Sequence, residues 1–270
     1  MNARELPTRS AAVRWAQRLA PLAVGLVVLG AWEWAVRHWE VEPYVVPAPS
    51  QVLATLRERW SELAPAWAVT LRTMGLALTA AAVSGALLAA LFASSRWVAA
   101  SLFPYAIVLQ VTPLVAIAPL LALWLRSRFE WVHLICAWIV AFFPVLSNTV
   151  AGLRSADRAH HDLFTLYGAS PWARLRLLLA PSALPYFLAG LRIAGNLSLV
   201  GAVVAEFVTG AVGDESGLAS LILGSQMRLD TPMVFAALTL VSLTGIAVYF
   251  ALGLLSYLLL RRWHDSALPR

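Results

Sequence analysis

The sequence predicts an all-α membrane protein with about six transmembrane helices, and three observations support this fold class. Of the 270 residues, 60% are hydrophobic and only 13% are charged, whereas soluble domains carry about 25% charged residues. The apolar residues form six runs near the length of about 20 residues that a helix needs to cross a bilayer. All 20 basic residues are arginines, mostly between these runs. Membrane-protein loops carry such charges, so the net charge of +6 predicts contact with the bilayer and no nucleic-acid partner.

The six apolar runs give the predicted spans. They lie near residues 20–37, 66–93, 97–125, 131–151, 182–210 and 233–260. Three prolines interrupt the third run, which leaves open whether it is one kinked helix or a span followed by a re-entrant piece. In the second run, Ala81, Gly85 and Ala89 recur every four residues. This pattern predicts close packing against another helix.

The arginines predict how the chain is oriented and divided. With the N-terminus inside, twelve arginines fall in cytoplasmic segments and six in external ones, so the positive-inside rule places both termini in the cytoplasm. The first run is longer than the core of a cleavable signal and is predicted to remain as a span. The predicted divisions are a cytoplasmic N-terminal segment (1–19), a first span with an external amphipathic segment (20–65), a transmembrane core (66–260) and a cytoplasmic tail (261–270).

The segment between the first two spans has the pattern of a short amphipathic helix. Ser50 is placed to cap it, and Val52, Leu56, Trp60 and Leu63 would share one face. Apolar residues at this spacing are typical of a helix with one buried side. We expect the helix to lie along the outer membrane interface.

The loop at 152–181 is too long for a simple connection between spans. Apolar residues recur at helical spacing before and after a Gly-Ala-Ser-Pro break at 168–171. Gly168 suits the positive φ that often follows a helix end, and Pro171 suits the first turn of the next helix. The pattern predicts a helix, a turn and a second helix that runs into the fifth span. From the residues alone it is either a partner-binding elbow or an interfacial hairpin without a partner.

Polar residues inside the spans are candidates for a translocation path, because ionisable groups at membrane depth usually face a cavity or a partner. The candidates are Glu206, Gln110, Asn148, Arg192 and Asn196. Glu206 would either line the outer mouth of the path or pair with an arginine. Arg192 would attract an anion or form a structural pair, and the amides would line the path or bond across helices.

Catalytic and metal-binding patterns are missing from the sequence. Without lysine there is no Walker-A phosphate loop and no Schiff-base chemistry. His160 and His161 are adjacent rather than four apart, so they do not share a helix face as metal ligands would. We expect a non-catalytic chain with no metal and no cofactor of its own. An intramembrane enzyme is disfavoured for the same reason.

The elbow resembles a motif of permease subunits of ATP-binding-cassette importers. Their cytoplasmic loop reads Glu-Ala-Ala, three residues, Gly, nine residues, Ile, one residue, Leu-Pro. Here Asp162-Leu163-Phe164 precedes Gly168, and Leu178 precedes Ala180-Pro181 at the same spacing. The sequence departs from the motif by Asp for Glu, Leu-Phe for Ala-Ala, Leu for Ile and Ala for Leu.

Four further segments resemble the nitrate/sulfonate/taurine branch of these permeases, which includes carriers of thiamine precursors, riboflavin and aromatic acids. They are residues 45–56, 111–124, 141–155 and 190–207. With the elbow they are in register over about residues 40–260. One departure is Leu-Arg-Ser-Arg at 125–128, where relatives usually have a glycine-bearing turn.

The resemblance implies a type I importer transmembrane domain in the bacterial inner membrane, with a cytoplasmic coupling helix. Implied partners are two ATPase subunits that bind ATP and Mg²⁺, a second permease copy and an external substrate-binding protein. The implied ATPase-coupling residues are Asp162, Leu163, Tyr167, Gly168, Ala169, Ser170, Leu178 and Pro181. The expected cargo is a small anion, organic acid or sulfonate, with a thiamine precursor, riboflavin or aromatic compound as the alternative. A self-sufficient secondary transporter is the alternative class.

Overall fold

A computed structural model describes residues 11–126, 128–210 and 216–261, with side chains described from residue 19 onward. Within these ranges the chain forms helices and turns and no strand, which confirms the all-α prediction. The helices are α1 (Ala11–His38), α2 (Pro49–Glu58), α3 (Trp60–Ser94), α4 (Arg96–Val111), α5 (Leu114–Trp124), α6 (Phe129–Leu153), α7 (Arg158–Leu166), α8 (Pro171–Arg174), α9 (Ala180–Thr209), α10 (Leu218–Met227) and α11 (Thr231–Leu260). A π-helical turn, Leu175–Leu179, joins α8 to α9.

Five of the described helices are long and apolar enough to cross a membrane, and a bent pair gives up to six spans. The bent pair is the predicted third run, which consists of two helices, α4 and α5, meeting at 98°. The bend lies at Thr112 and Pro113, whose backbones are extended. Proline has no N–H for the helix and disfavours helical backbone at the residue before it. The third apolar run is therefore two separate helices and not one kinked helix.

The predicted amphipathic helix differs from the observed one at both ends. Its N-cap is Ala48 rather than Ser50, and the Gln51 side chain accepts a hydrogen bond from the Ala48 N–H at 2.9 Å. The helix ends at Glu58, and a new helix begins at Trp60, so Leu63 belongs to α3. The predictions of a Ser50 cap and of one continuous apolar face are therefore wrong.

The described residues divide into two compact units, the first within Met1–Trp60 and Ser225–Ala236. In this unit Glu33 of α1 accepts hydrogen bonds from the Ser50 N–H at 3.0 Å and the Ser50 hydroxyl at 2.8 Å. Arg37 donates to the same carboxylate. The Glu33 carboxylate thus occupies the place near the start of α2 that a capping side chain would fill, which explains why Ser50 does not cap its own helix.

The second unit comprises Ser61–Gly224 and Ala237–Arg270, and small residues bring its helices close together. Ala81 and Ala89 are fully buried, and a Cβ added at Gly85 would lie 3.0 Å from Val145 of α6. The predicted packing face on the second span is confirmed. A Cβ added at Gly190 of α9 would lie 2.7 Å from the Pro144 carbonyl oxygen of α6. Helices α6 and α9 therefore pack with their backbones nearly in contact.

Candidate functional site

The elbow between α6 and α9 begins with a short helix whose two ends are capped. The Asp157 carboxylate accepts a hydrogen bond from the Ala159 N–H at 3.0 Å and starts α7. At the other end Gly168 has φ +63°, as predicted. Its N–H donates to the Thr165 carbonyl, and the Ala169 N–H donates to the Phe164 carbonyl. These two bonds form the Schellman arrangement that ends a helix and turns the chain away from its axis.

The second arm of the elbow runs without interruption into α9. The Ser170 hydroxyl accepts a hydrogen bond from the Ala173 N–H at 3.2 Å, and Pro171 is the first helical residue. Both features agree with the predicted helix start. Arg174 donates to the Thr165 hydroxyl at 3.0 Å and ties the second arm to the first. The predicted helix–turn–helix is confirmed.

The outer face of the elbow is apolar and has no partner among the described residues. Helix α7 contains no buried residue. Leu166, Tyr167 and Trp172 are 86%, 82% and 68% exposed. Exposed patches of large apolar side chains mark protein or membrane interaction sites. We call Leu163, Leu166, Tyr167 and Trp172 the elbow patch.

The predicted coupling residues fall into two groups in the structure. The residues at or near the surface of the elbow are Asp162, Leu163, Tyr167, Gly168, Ala169 and Ser170, of which Ala169 is half-buried. Leu178 is buried and Pro181 is half-buried in the first turn of α9. Leu175 and Leu179 pack against the core of the second unit. Leu178 and Pro181 therefore belong to the base of the elbow, six and nine residues after Trp172 of the exposed patch.

Glu206, the most buried of the five path candidates, caps a helix. It is fully buried, and its carboxylate accepts hydrogen bonds from the Thr70 hydroxyl at 2.9 Å and the Ala219 N–H at 3.0 Å. Thr70 in turn accepts from the Leu218 N–H at 2.9 Å. The two side chains satisfy the first N–H groups of α10, which otherwise lack partners. The predicted arginine partner is wrong, because the partners of Glu206 are a hydroxyl and backbone.

Arg192 and Asn196 lie one turn apart on α9 and face α11. The Arg192 guanidinium sits over the Tyr249 ring, 3.9 Å from its centroid, a cation–π contact. Arg192 Nε and Asn196 Oδ1 are buried without a hydrogen-bond partner among the described residues. Asn196 also lines a cleft of about 410 Å³, together with Tyr249 and Phe250 of α11.

The remaining two path candidates lie elsewhere. Gln110 is exposed near the end of α4, two residues before the bend. Asn148 donates to the Pro144 carbonyl of its own helix at 2.8 Å and stands where α6 meets Gly190. Of the five candidates, Arg192 and Asn196 share one helix contact, and the roles of all five in a path stay predictions.

Two residues that sequence reasoning missed complete these sites. Thr70 bridges Glu206 and α10 across 136 positions, and Tyr249 covers Arg192 from another helix. Neither residue belongs to a local motif. Their only signal in the sequence is a polar or aromatic side chain inside an apolar run.

Comparison with known proteins identifies the family. Residues 81–267 match the family described as "Binding-protein-dependent transport system inner membrane component". The chain is 35% identical to the riboflavin transport system permease protein of Chloroflexus aurantiacus, over 94% of this chain and 95% of that protein. It is 32% identical to the formylaminopyrimidine transport permease protein of Halalkalibacterium halodurans, over 90% of this chain and 96% of that protein. The taurine transport system permease protein of Escherichia coli is 28% identical to this chain, over 97% of both proteins.

These matches cover the elbow, the bent pair and the α6–α9 core together. They confirm the resemblance drawn from the five sequence segments and agree with a chain of five to six spans. The chain therefore belongs to the binding-protein-dependent transport system inner membrane component family, the multi-pass permeases of ATP-binding-cassette transporters.

Proposed function

We propose that this chain is the permease subunit of an importer that is powered by separate ATPase subunits through the elbow at 152–181. The observation that carries the proposal is the elbow patch, whose Leu166, Tyr167 and Trp172 are largely exposed. Burying apolar surface stabilises a complex by roughly 25 cal/mol per Å². An apolar groove on the ATPase fits this patch. ATP and Mg²⁺ would bind in that partner, since the chain has no lysine for a phosphate loop.

The connections of the elbow suit a lever. Its first arm is joined to α6 by the short non-helical link 154–157, and its second arm continues into α9 through the π-helical turn. The Arg174–Thr165 hydrogen bond joins the two arms. Because α6 and α9 are closely packed through Gly190, a displacement of α7 is passed to both helices. Two permease copies, two ATPases and an external binding protein complete the proposed assembly.

The elbow patch is tested with Leu166→Ser and Tyr167→Ser. Each variant should reach the membrane in normal amounts, because neither side chain packs inside the chain. Each should fail to retain the ATPase during purification in mild detergent and should lose ATP-dependent uptake in reconstituted vesicles. Met227→Ser is the matched control, since Met227 is 79% exposed but lies on α10. Uptake by the permease alone, without ATPase or nucleotide, would instead support a secondary transporter.

For the cargo, we propose a heteroaromatic compound of the riboflavin or thiamine-precursor class. The relatives named for riboflavin and formylaminopyrimidine are 35% and 32% identical over at least nine-tenths of each chain. The taurine relative is 28% identical, and a nitrate import permease of Synechocystis matches 53% of this chain. One face of Arg192 is occupied by Tyr249, which gives less support to the first expectation, a small anion, organic acid or sulfonate.

The cargo proposal is tested on the companion binding protein. We expect riboflavin or a formylaminopyrimidine to raise its melting temperature, and taurine and nitrate to leave it unchanged. Vesicles containing the full complex should then accumulate the same compound when ATP is supplied. A shift with taurine or nitrate alone would overturn the cargo class and leave the coupling proposal standing.

A further inference from the structure

A cleft between the start of α4 and the end of α6 combines two positive charges with an apolar wall. It is lined by Arg96, Ala99, Ala100, Phe103, Pro104 and Arg154 and has a volume of about 360 Å³. We call it the two-arginine cleft. All six residues belong to the second unit. None of the path candidates and no residue of the elbow patch lines the cleft, although Arg154 lies in the 152–181 segment.

The two arginines of this cleft lack a negative partner in the described part of the chain. Both are exposed, and neither forms a side-chain hydrogen bond or ion pair with a described residue. The cleft lining contains no acidic residue. Arg96 is also the first residue of α4, and the first turn of that helix has no acid. A cation is disfavoured at a helix N-terminus, so local helix stability does not explain its position. An anion bound from outside the chain would offset this charge.

The wall below the arginines is apolar and is made partly of small residues. Ala99 is buried, and Phe103 packs between Phe92 and Phe143 at ring distances of 6.1 and 6.2 Å. Next to Arg96, Trp97 is 86% exposed. Tryptophan is enriched at the level of lipid headgroups. If Trp97 lies at this level, the charged rim of the cleft lies at the headgroups and its apolar wall faces the hydrocarbon.

We propose that the two-arginine cleft binds an anionic phospholipid. Arg96 and Arg154 would hold the phosphate, and an acyl chain would lie along Ala100, Phe103 and Pro104. Basic pockets between transmembrane helices bind lipid headgroups by this combination of charge and apolar surface. A free phosphate ion would leave the apolar wall in contact with water. The proposal depends on the membrane location of the chain and not on the coupling role of the elbow.

The location of this cleft gives the lipid a mechanical role. Arg154 caps α6, and α7 begins at Arg158, four residues later. A phosphate held by both arginines would bridge the first residue of α4 to the residue that caps α6. The bound lipid would stabilise this end of α6 against α4 while the elbow moves.

The test uses the full chain, purified in detergent, and native mass spectrometry with phosphatidylglycerol and phosphatidylethanolamine. The wild-type chain should retain phosphatidylglycerol preferentially. Each arginine near the membrane surface contributes to anionic-lipid binding, so Arg96→Gln/Arg154→Gln should weaken phosphatidylglycerol binding about thirtyfold. Arg261→Gln is the control, because Arg261 is an exposed arginine at the end of α11, outside the cleft. Equal losses in the control and the double variant would overturn the proposal.

Two further measurements separate the lipid from a simple anion. Ala100→Trp keeps both arginines but fills the cleft, and it should reduce phosphatidylglycerol retention without changing the net charge. Inorganic phosphate at millimolar concentration should not displace the lipid. Full retention in Ala100→Trp, or displacement by phosphate alone, would show that the arginines bind any anion and would overturn the assignment to a phospholipid.

Discussion

At the scale of single residues, a buried carboxylate is held in an apolar environment by a small set of donors. Glu206 has no exposed surface, and Thr70 and the Ala219 N–H satisfy its oxygens. A Cβ at Gly217 would clash with this carboxylate, so the glycine allows the close approach. Burying a charge is expensive unless it is hydrogen-bonded. Thr70 therefore has two functions here, because its hydroxyl donates to Glu206 and accepts from the Leu218 N–H.

Replacing Thr70 by valine should destabilise the protein. The change removes one donor to Glu206 and leaves the Leu218 N–H without its acceptor. An unsatisfied buried polar group costs on the order of 1–3 kcal/mol, so we expect a loss of about 2 kcal/mol in unfolding free energy, measured in detergent. Thr79→Val is the control, because Thr79 is exposed and bonds only to Gly75 of its own helix. Equal stability of the two variants would contradict the capping role.

At the scale of elements, the contact between α6 and α9 depends on glycines, whose lack of a side chain lets the two backbones approach closely. A Cβ at Gly190 would lie 2.7 Å from the Pro144 carbonyl oxygen, and one at Gly201 would lie 2.8 Å from the Ala137 Cα. Neither neighbour can move independently, because both are backbone. Close-packed cores respond to one extra methyl group by shifting whole elements.

Gly190→Ala should therefore destabilise the protein by about 1–3 kcal/mol, and thermal unfolding in detergent would measure the loss. Gly75→Ala in α3 is the matched change, since nothing lies within 4 Å of its added Cβ. We expect no loss there, because alanine is the better helix former. A tolerated Gly190→Ala would mean that the two helices can separate easily.

The sequence could predict features that depend on neighbouring residues in the chain, but not features that depend on contacts between distant segments. Gly168 and Pro171 act on their own backbone, so the elbow follows from its residues, and the spans follow from runs of sufficient length. Glu206 and Thr70 are 136 positions apart, and Glu33 and Ser50 are 17 apart. No local period links such pairs. The cap of α2 was therefore mispredicted and the partners of Glu206 were not foreseen, because both depend on which helices become neighbours.

At the scale of the whole molecule, the proposed coupling requires a specific backbone conformation at one glycine. Gly168 has φ +63° and open space around it, so the conformation, and not steric room, is its constraint. A branched residue in this region costs about 1–2 kcal/mol, enough to unwind the end of α7. Gly168→Leu should reach the membrane and lose ATP-dependent uptake. Gly168→Asn should keep it, since asparagine tolerates left-handed backbone. Undiminished uptake by Gly168→Leu would contradict the lever.

The orientation of the chain can be measured with single cysteines. The described residues contain one cysteine, Cys136, which is fully buried and gives little background labelling. Ser170→Cys in the elbow should react with a membrane-impermeant maleimide only in inside-out vesicles. Glu42→Cys, between α1 and α2, should react only in right-side-out vesicles. The reverse pattern would place the elbow outside and end the coupling proposal.

The right-angle break between α4 and α5 has a consequence for the surrounding lipid. The two helices have 16 and 11 residues, about 24 and 16 Å of helix, whereas the hydrocarbon layer is about 30 Å thick. Neither piece reaches across by itself, and the non-helical peptide groups at Thr112 and Pro113 cannot face acyl tails. Such groups are tolerated at membrane depth only where protein covers them or water reaches them. Water that entered here from one surface would form a hydrated dent in the bilayer. A solute passing at this place would cross a correspondingly thinner dry barrier.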